Sequence, residues 1–181
     1  MGKQAPEQTP ALKQSRPGRG RLFWLKAAVG SGLFTGFSPL APATVTSLFT
    51  LVPVWYLHHW PVGHAAAVVL VFSVGVPIAT VLEKHWGPDP GRVTIDEIAG
   101  TLLTFLLLPG LTVWSLFIGF AFWRFFDIVK LPFIDRSQRL PGGWGIMTDD
   151  ILAGICANLV MQALLRIGPR LIPALDSILL A

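Results

Sequence analysis

Three stretches of this chain, Ala65 to Leu82, Leu111 to Phe122 and Ile151 to Leu165, carry not one charged residue. Runs of this kind constrain the fold more than any short motif. A soluble domain of this size has no interior that hides three of them, whereas a bilayer accepts each as a helix whose backbone bonds are satisfied internally. Composition agrees, with 52% hydrophobic and only 13% charged residues in 181, well to the apolar side of a soluble domain. The expectation is an all-α, polytopic membrane bundle of about four to five membrane helices, joined by short interfacial or re-entrant helices. Residues 1–21 read as a disordered basic tail, because Lys3, Lys13, Arg16, Arg19 and Arg21 face only Glu7 there. Such a tail is drawn to anionic headgroups. Residues 22–181 form one membrane-embedded domain. Cys156 is the only cysteine, so no intrachain disulfide forms; Gln162 stands where a Cys-phosphatase loop needs arginine.

Between the runs the chain is punctuated. Leu22 to Phe37 is broken by Lys26, Gly30, Gly32 and Gly36 and reads as a short helix lying at the interface or only partly inserted. Pro39 and Pro42 interrupt regular helix, with Thr44 placed to cap the span from Val45 to Trp60. Ala65 to Leu82 returns. Ile98 to Leu108 is apolar but short and reads as either a half-span or a helix shielded inside the bundle. Leu111 to Val129 is the longest expected span, its Trp114 and Trp123 suited to the interfaces. Gly142 to Thr148 reads as a flexible loop opening the last span, and Arg166 to Ala181 as a short amphipathic tail. With the basic end inside, the alternation brings eight of the ten acids to one cytoplasmic face.

Those acids are not scattered. Asp96 and Glu97 open one helix, Asp127 and Lys130 close another, and Asp149 and Asp150 open a third. A single acid at a helix start is explained by capping and the helix dipole, at about 0.3–1 kcal/mol. A doubled acid is not, since the second carboxylate is desolvated beside a like charge. Mg²⁺ takes carboxylate oxygens, keeps several waters, and is commonly completed by substrate phosphate. Asp96, Glu97, Asp149 and Asp150 are therefore candidate metal ligands. Arg124, Asp127 and Lys130, at a spacing of three, share a helix face: Asp127 completes or orients the metal site, while Lys130 and more weakly Arg124 take phosphate. Ser38, Thr44 and Ser47 flank the proline loop; Thr44 and Ser38 are further candidate phosphate contacts, with a metal-water contact as the other option. Asp150, Gly154, Asn158 and Gln162, at a spacing of four, form a stripe facing the bundle; Asn158 and Gln162 suit interhelical hydrogen bonds and Gly154 close helix approach. His85 reads as a solvated loop residue.

Four ordered segments carry a resemblance: 35–44 (Thr-Gly-Phe-Ser-Pro-Leu-Ala-Pro-Ala-Thr), 95–100 (Ile-Asp-Glu-Ile-Ala-Gly), 125–130 (Phe-Phe-Asp-Ile-Val-Lys) and 142–154, from Gly142-Gly143-Trp144-Gly145 to Asp149-Asp150-Ile151-Leu152-Ala153-Gly154. Together they resemble the phosphatidylglycerophosphatase A family of bacterial membrane phosphatases. This chain departs from the family pattern at Ala43, where glycine is usual, and at Leu131-Pro132-Phe133. The resemblance implies Mg²⁺-dependent hydrolysis of phosphatidylglycerophosphate to phosphatidylglycerol and phosphate in phospholipid biosynthesis. It also implies a multi-pass inner-membrane location with the site facing the cytoplasm. Asp127, Lys130, Asp149 and Asp150 are then the catalytic set, with attack on phosphorus by an activated water or by an aspartate left open. A small cation channel or transporter is the rival reading, and it requires acids spread through the membrane depth.

Overall fold

The computed structural model describes residues 20–171; nearly all of the expected basic tail, and the chain after Leu171, lie outside the described residues. Seven α-helices follow in order: α1 Arg21–Gly30, α2 Pro42–Leu57, α3 Pro61–Trp86, α4 Ile95–Thr104, α5 Val113–Val129, α6 Pro132–Ser137 and α7 Gly143–Leu171, with a short 3-10 turn at Thr35–Phe37. There is no strand among the described residues, as the sequence led us to expect. α3 and α7 are long and apolar enough to cross a membrane. α2 and α5 have 16 and 17 residues, short of the about 20 a perpendicular crossing needs.

The short apolar helix after Thr94 proves to be the centre of the described bundle. α4 has only 10 residues, yet α2, α3, α5 and α7 all pack against it, and seven of its residues are buried. A helix that stops inside an apolar bundle leaves its last carbonyls without partners. α7 supplies them. Asn158 Nδ2 donates to the carbonyls of Thr104 at 2.9 Å and Leu106 at 2.8 Å, and Gln162 Nε2 donates to that of Leu107 at 2.9 Å. From the other side buried His64 Nε2 donates to the Leu102 carbonyl at 2.9 Å. The polar stripe on α7 thus does what its spacing suggested.

The crossing of α4 over α7 sets the position of the acids. A Cβ on Gly154 would stand 2.6 Å from the Gly100 carbonyl oxygen, and one on Gly100 would stand 2.8 Å from the Asp150 carbonyl oxygen. Only two glycines let the backbones approach so closely. One turn before Gly100 on α4 lie Asp96 and Glu97; one turn before Gly154 on α7 lies Asp150. Both helices run the same way from that end, so the crossing lays one acidic pair beside the other.

Four expectations are corrected here. Gly142 to Thr148 is not a flexible loop: α7 begins at Gly143, whose N–H is capped from α3 by Thr80 Oγ1 at 2.8 Å. The glycines serve contact instead, since a Cβ on Gly145 would meet the carbonyl oxygens of Gln138 and Leu140 at 2.7 Å. Asp149 and Asp150 consequently lie in the second turn of α7, beyond the reach of capping. Thr44 does not cap α2, because Ala41 in a left-handed conformation ends the loop and Pro42 fills the first helical turn. The longest helix is α7, with 29 residues, and it carries Arg166–Leu171 as continuous helix. Finally, Trp123 sits at no interface: it is fully buried, its ring packed by Gly100 and under the Arg124 guanidinium at 5.0 Å.

Candidate active site

At the end of the bundle where α4 and α7 begin and α5 ends, a pocket of about 230 Å³ is lined by Asp89, Asp96, Glu97, Arg124, Asp127, Lys130, Asp149 and Asp150, with Ala43, Gly91 and Val93 completing the wall. Every candidate charged residue named from the sequence is brought into it. Ser38 and Thr44 are not among the lining residues. The Ser38 hydroxyl instead donates to the Leu40 carbonyl at 2.9 Å, and it is Ala43, next to Thr44, that touches the pocket. His85 turns away, its Nδ1 donating to the Val81 carbonyl at 2.9 Å.

Two cations divide the carboxylates between them. Arg124 Nη1 donates to Glu97 Oε2 at 3.1 Å and to Asp127 Oδ2 at 2.8 Å, so the spacing of three on α5 becomes a fork joining α5 to α4. Ser47 Oγ, one turn after Ala43 on α2, lies 3.3 Å from the same Glu97 oxygen. Lys130 Nζ donates to Asp149 Oδ2 at 2.7 Å, and Gln138 Nε2 donates to that oxygen at 2.8 Å. Lys130 achieves this from a left-handed backbone, φ 39°, in which a residue other than glycine is strained. Burial opposes the Lys130 charge, but its hydrogen bond to Asp149 and the surrounding carboxylates carry its pKa above the usual lysine value. Burial pushes Glu97 up to about 7, the Asp127 charge adding to the rise and Arg124 opposing it.

Of the three hydroxyls flanking the proline loop only Ser47 reaches the site, through Glu97, and Gln138 went unnoticed in the sequence. Ser47 follows Ala43 by four on α2, a spacing that points to it once Ala43 is known to line the site. Gln138 carries no such signal, because it reaches Asp149 only through the turn after α6.

Whether this pocket suits a divalent cation can be tested on its own atoms. Asp149 Oδ1 and Asp150 Oδ2 are buried and have no hydrogen-bond partner, which is costly for any carboxylate and worst for an ionised one. Oxygen-only donors in adjacent residues are the chemistry that Mg²⁺ takes. Among the described residues no three acids stand in ready ligand geometry; Arg124 and Lys130 hold one oxygen each of Glu97, Asp127 and Asp149. The donor set fits, and closing around an ion requires side-chain rotation.

A helical bundle that gathers carboxylates, an arginine and a strained lysine in one pocket defines a phosphate-handling hydrolase more readily than a pore, whose acids would follow a path through the bundle. Comparison with known proteins narrows the class. The family model for phosphatidylglycerophosphatase A matches residues 28–165, and the chain belongs to that family and is a phosphatase. It is 34% identical over 151 residues to the phosphatidylglycerophosphatase A of Escherichia coli K12, covering 80% of this chain and 81% of that one. It is 36% identical over 141 residues to a Bacteroides thetaiotaomicron protein provisionally named phosphatidylinositol-3-phosphatase, covering 73% and 88%. A Haemophilus influenzae phosphatidylglycerophosphatase A is 40% identical over 78 residues, 42% of this chain and 47% of that one. No solved structure matches the chain.

Proposed function

We propose that this phosphatase removes the terminal phosphate of phosphatidylglycerophosphate, yielding phosphatidylglycerol and inorganic phosphate, and that it uses Mg²⁺. In this reading it is a multi-pass protein of the bacterial inner membrane, with α4 re-entrant and the pocket open to the cytoplasm. The observation that carries the reading is the pair of buried, unpartnered oxygens on Asp149 and Asp150 beside a lysine and an arginine. Asp149 and Asp150 would hold the ion from α7, with Asp96 and Glu97 facing them from α4. When bound, the ion neutralises phosphate oxygens and lowers the pKa of a water.

The remaining work falls to side chains. Lys130, which rests on Asp149 Oδ2 at 2.7 Å, and Arg124 offer charge-assisted N–H donors to the phosphate oxygens. Asp127 holds Arg124 in place through the 2.8 Å contact, and Gln138 and Lys130 occupy Asp149 Oδ2 while Oδ1 has no hydrogen-bond partner, so Asp149 would offer an ion its Oδ1. Asp89, Asp96, Glu97, Asp127, Asp149 and Asp150 share one pocket, and a transport path is left without support.

The test is phosphate release by the purified chain in detergent, with and without Mg²⁺, from phosphatidylglycerophosphate and from phosphatidylinositol 3-phosphate, the substrate named for the Bacteroides relative. The first substrate should be preferred, with turnover abolished by chelation and by Asp149→Asn or Asp150→Asn. Undiminished turnover in both variants would refute the assignment of the ion.

A further inference from the structure

Across the α2–α4 contact from the carboxylates lies a second cavity of about 400 Å³, within the range of roughly 300–1,000 Å³ usual for ligand sites. Val29, Leu33, Phe49, Pro53, Val71 and Ile98 give it an apolar wall. Three threonines also line it, yet none offers a free donor. Thr50 Oγ1 donates to the Thr46 carbonyl at 2.8 Å, Thr46 Oγ1 to Thr94 Oγ1 at 3.0 Å, and Thr35 Oγ1 to the Gly32 carbonyl at 2.8 Å. With its hydroxyls engaged elsewhere, the groove suits a hydrocarbon occupant and would penalise a polar one.

Its position selects which hydrocarbon. On α2, Ala43 lines the acidic pocket and Thr46, about one turn on, opens the groove. From Thr46 the stripe Phe49, Thr50 and Pro53 continues along α2 for about 10 Å at 1.5 Å per residue. On α4, Asp96 and Glu97 turn to the pocket while Ile95 and Ile98 turn to the groove. The groove thus starts at the level of the carboxylates and runs away from them along the helices. Its rim is strained: Gly32, Leu33 and Phe34 have successive φ angles of 56°, 57° and 71°, a left-handed run that leucine and phenylalanine avoid. Ser31 Oγ holds it by accepting the Phe34 N–H at 3.2 Å. The result sets Leu33, 81% exposed, at the mouth of an apolar cavity. Maintained strain of this kind clusters at ligand clamps.

We propose that this groove receives one acyl chain of the same lipid whose phosphate enters the acidic pocket, so that the enzyme selects long-chain over short-chain substrates. The inference rests on the lipid-phosphatase reading above. What distinguishes the chain from bulk bilayer lipid is this shared starting level, which lets one molecule fill both cavities.

Two measurements on the full-length protein test it. In the first, kcat/KM is compared for dioleoyl and dihexanoyl phosphatidylglycerophosphate in the unaltered enzyme, in Val29→Trp, which fills the groove, and in Phe49→Ala, which removes a wall. The long-to-short ratio should fall about tenfold in both variants, the equivalent of about two buried methylenes. It should hold in Val69→Trp, an exposed α3 site outside the groove. An unchanged ratio in both groove variants overturns the proposal; lack of turnover on either lipid by the unaltered enzyme overturns instead the activity. In the second, a lipid phosphate monoester bearing a mid-chain diazirine is photolysed with the protein in nanodiscs. Label on the α1–α2 groove that excess unlabelled monoester suppresses supports the proposal. Equal labelling by a phosphatidylcholine carrying the same chain means that bulk lipid fills the groove, and overturns it.

Discussion

Replacing Gly154 by alanine separates what holds this bundle together from what makes its pocket work. The added Cβ would lie 2.6 Å from the Gly100 carbonyl oxygen, with the Gly100 carbonyl carbon and Cα both at 3.3 Å. All three are backbone atoms, so no side chain can rotate away. To restore separations of 3.0 to 3.4 Å, α4 and α7 must part by roughly 0.4 to 0.8 Å. Overpacking of this size costs about 1–3 kcal/mol, while alanine in a helix interior returns about 1 kcal/mol relative to glycine. The net loss of stability is then about 0–2 kcal/mol, and the protein stays folded. Activity has no such compensation. Asp150 stands one turn from the crossing on α7, and Asp96 and Glu97 one turn from it on α4, so widening the crossing moves the carboxylate pairs apart. A misplacement of about 1 Å at a reacting centre costs on the order of 100-fold, so a loss of about 10- to 100-fold is expected here. Thermal unfolding in detergent and phosphate release on the same preparation measure the two sides. Turnover within about twofold of the unaltered enzyme, with the substitution confirmed and the fold intact, would refute the idea that the glycine crossing registers the acids.

Two further perturbations read other parts of the same argument. Asn158→Leu strips its donor from the Thr104 carbonyl and leaves the Leu106 carbonyl only the longer 3.4 Å contact from Gln162 Nε2, and should destabilise the protein by about 1–3 kcal/mol, with a smaller loss of kcat; an unchanged unfolding midpoint would show that α4's end is satisfied by other means. For pH dependence, Glu97 is raised from 4.5 to about 7, so its neutral form is the one the fold favours. The stability it contributes is full below about pH 4.5 and is lost as pH rises through about 7. Metal-free protein should therefore lose stability across that window, and the thermal shift produced by added Mg²⁺ should grow over it. A shift that shrank as pH rose would contradict the assignment.

Much of this protein is legible because membranes make local composition expensive to ignore. Uncharged runs announce helices, and doubled acids at their ends announce a pocket, since each cost is set by a residue and its immediate surroundings. Asp96, Glu97, Asp127, Lys130, Asp149 and Asp150 were identified in that way, as were the hydrogen-bonding roles of Asn158 and Gln162, whose spacing of four is a property of one helix.

What failed to show was whatever depends on a partner distant in the chain. A glycine-rich segment looks the same whether it serves flexibility or contact, and only the Val76 carbonyl and Thr80 on α3 and the turn at Gln138 decide that Gly143 to Thr148 is packed helix. Thr44 looks like a cap until Ala41 and Pro42 take the turn before it. Trp123 looks interfacial until a glycine on α4 makes room for its ring. Local composition suffices to make this chain helical, apolar and acidic at one end. Tertiary structure alone decided that Arg124 and Lys130 each clasp a different part of the acidic set, that Gln138 and Ser47 join them, and that two carboxylate oxygens on α7 are left bare. Side-chain identity fixes what a group costs to bury; only the approach of two helices at Gly100 and Gly154 fixes what it meets there.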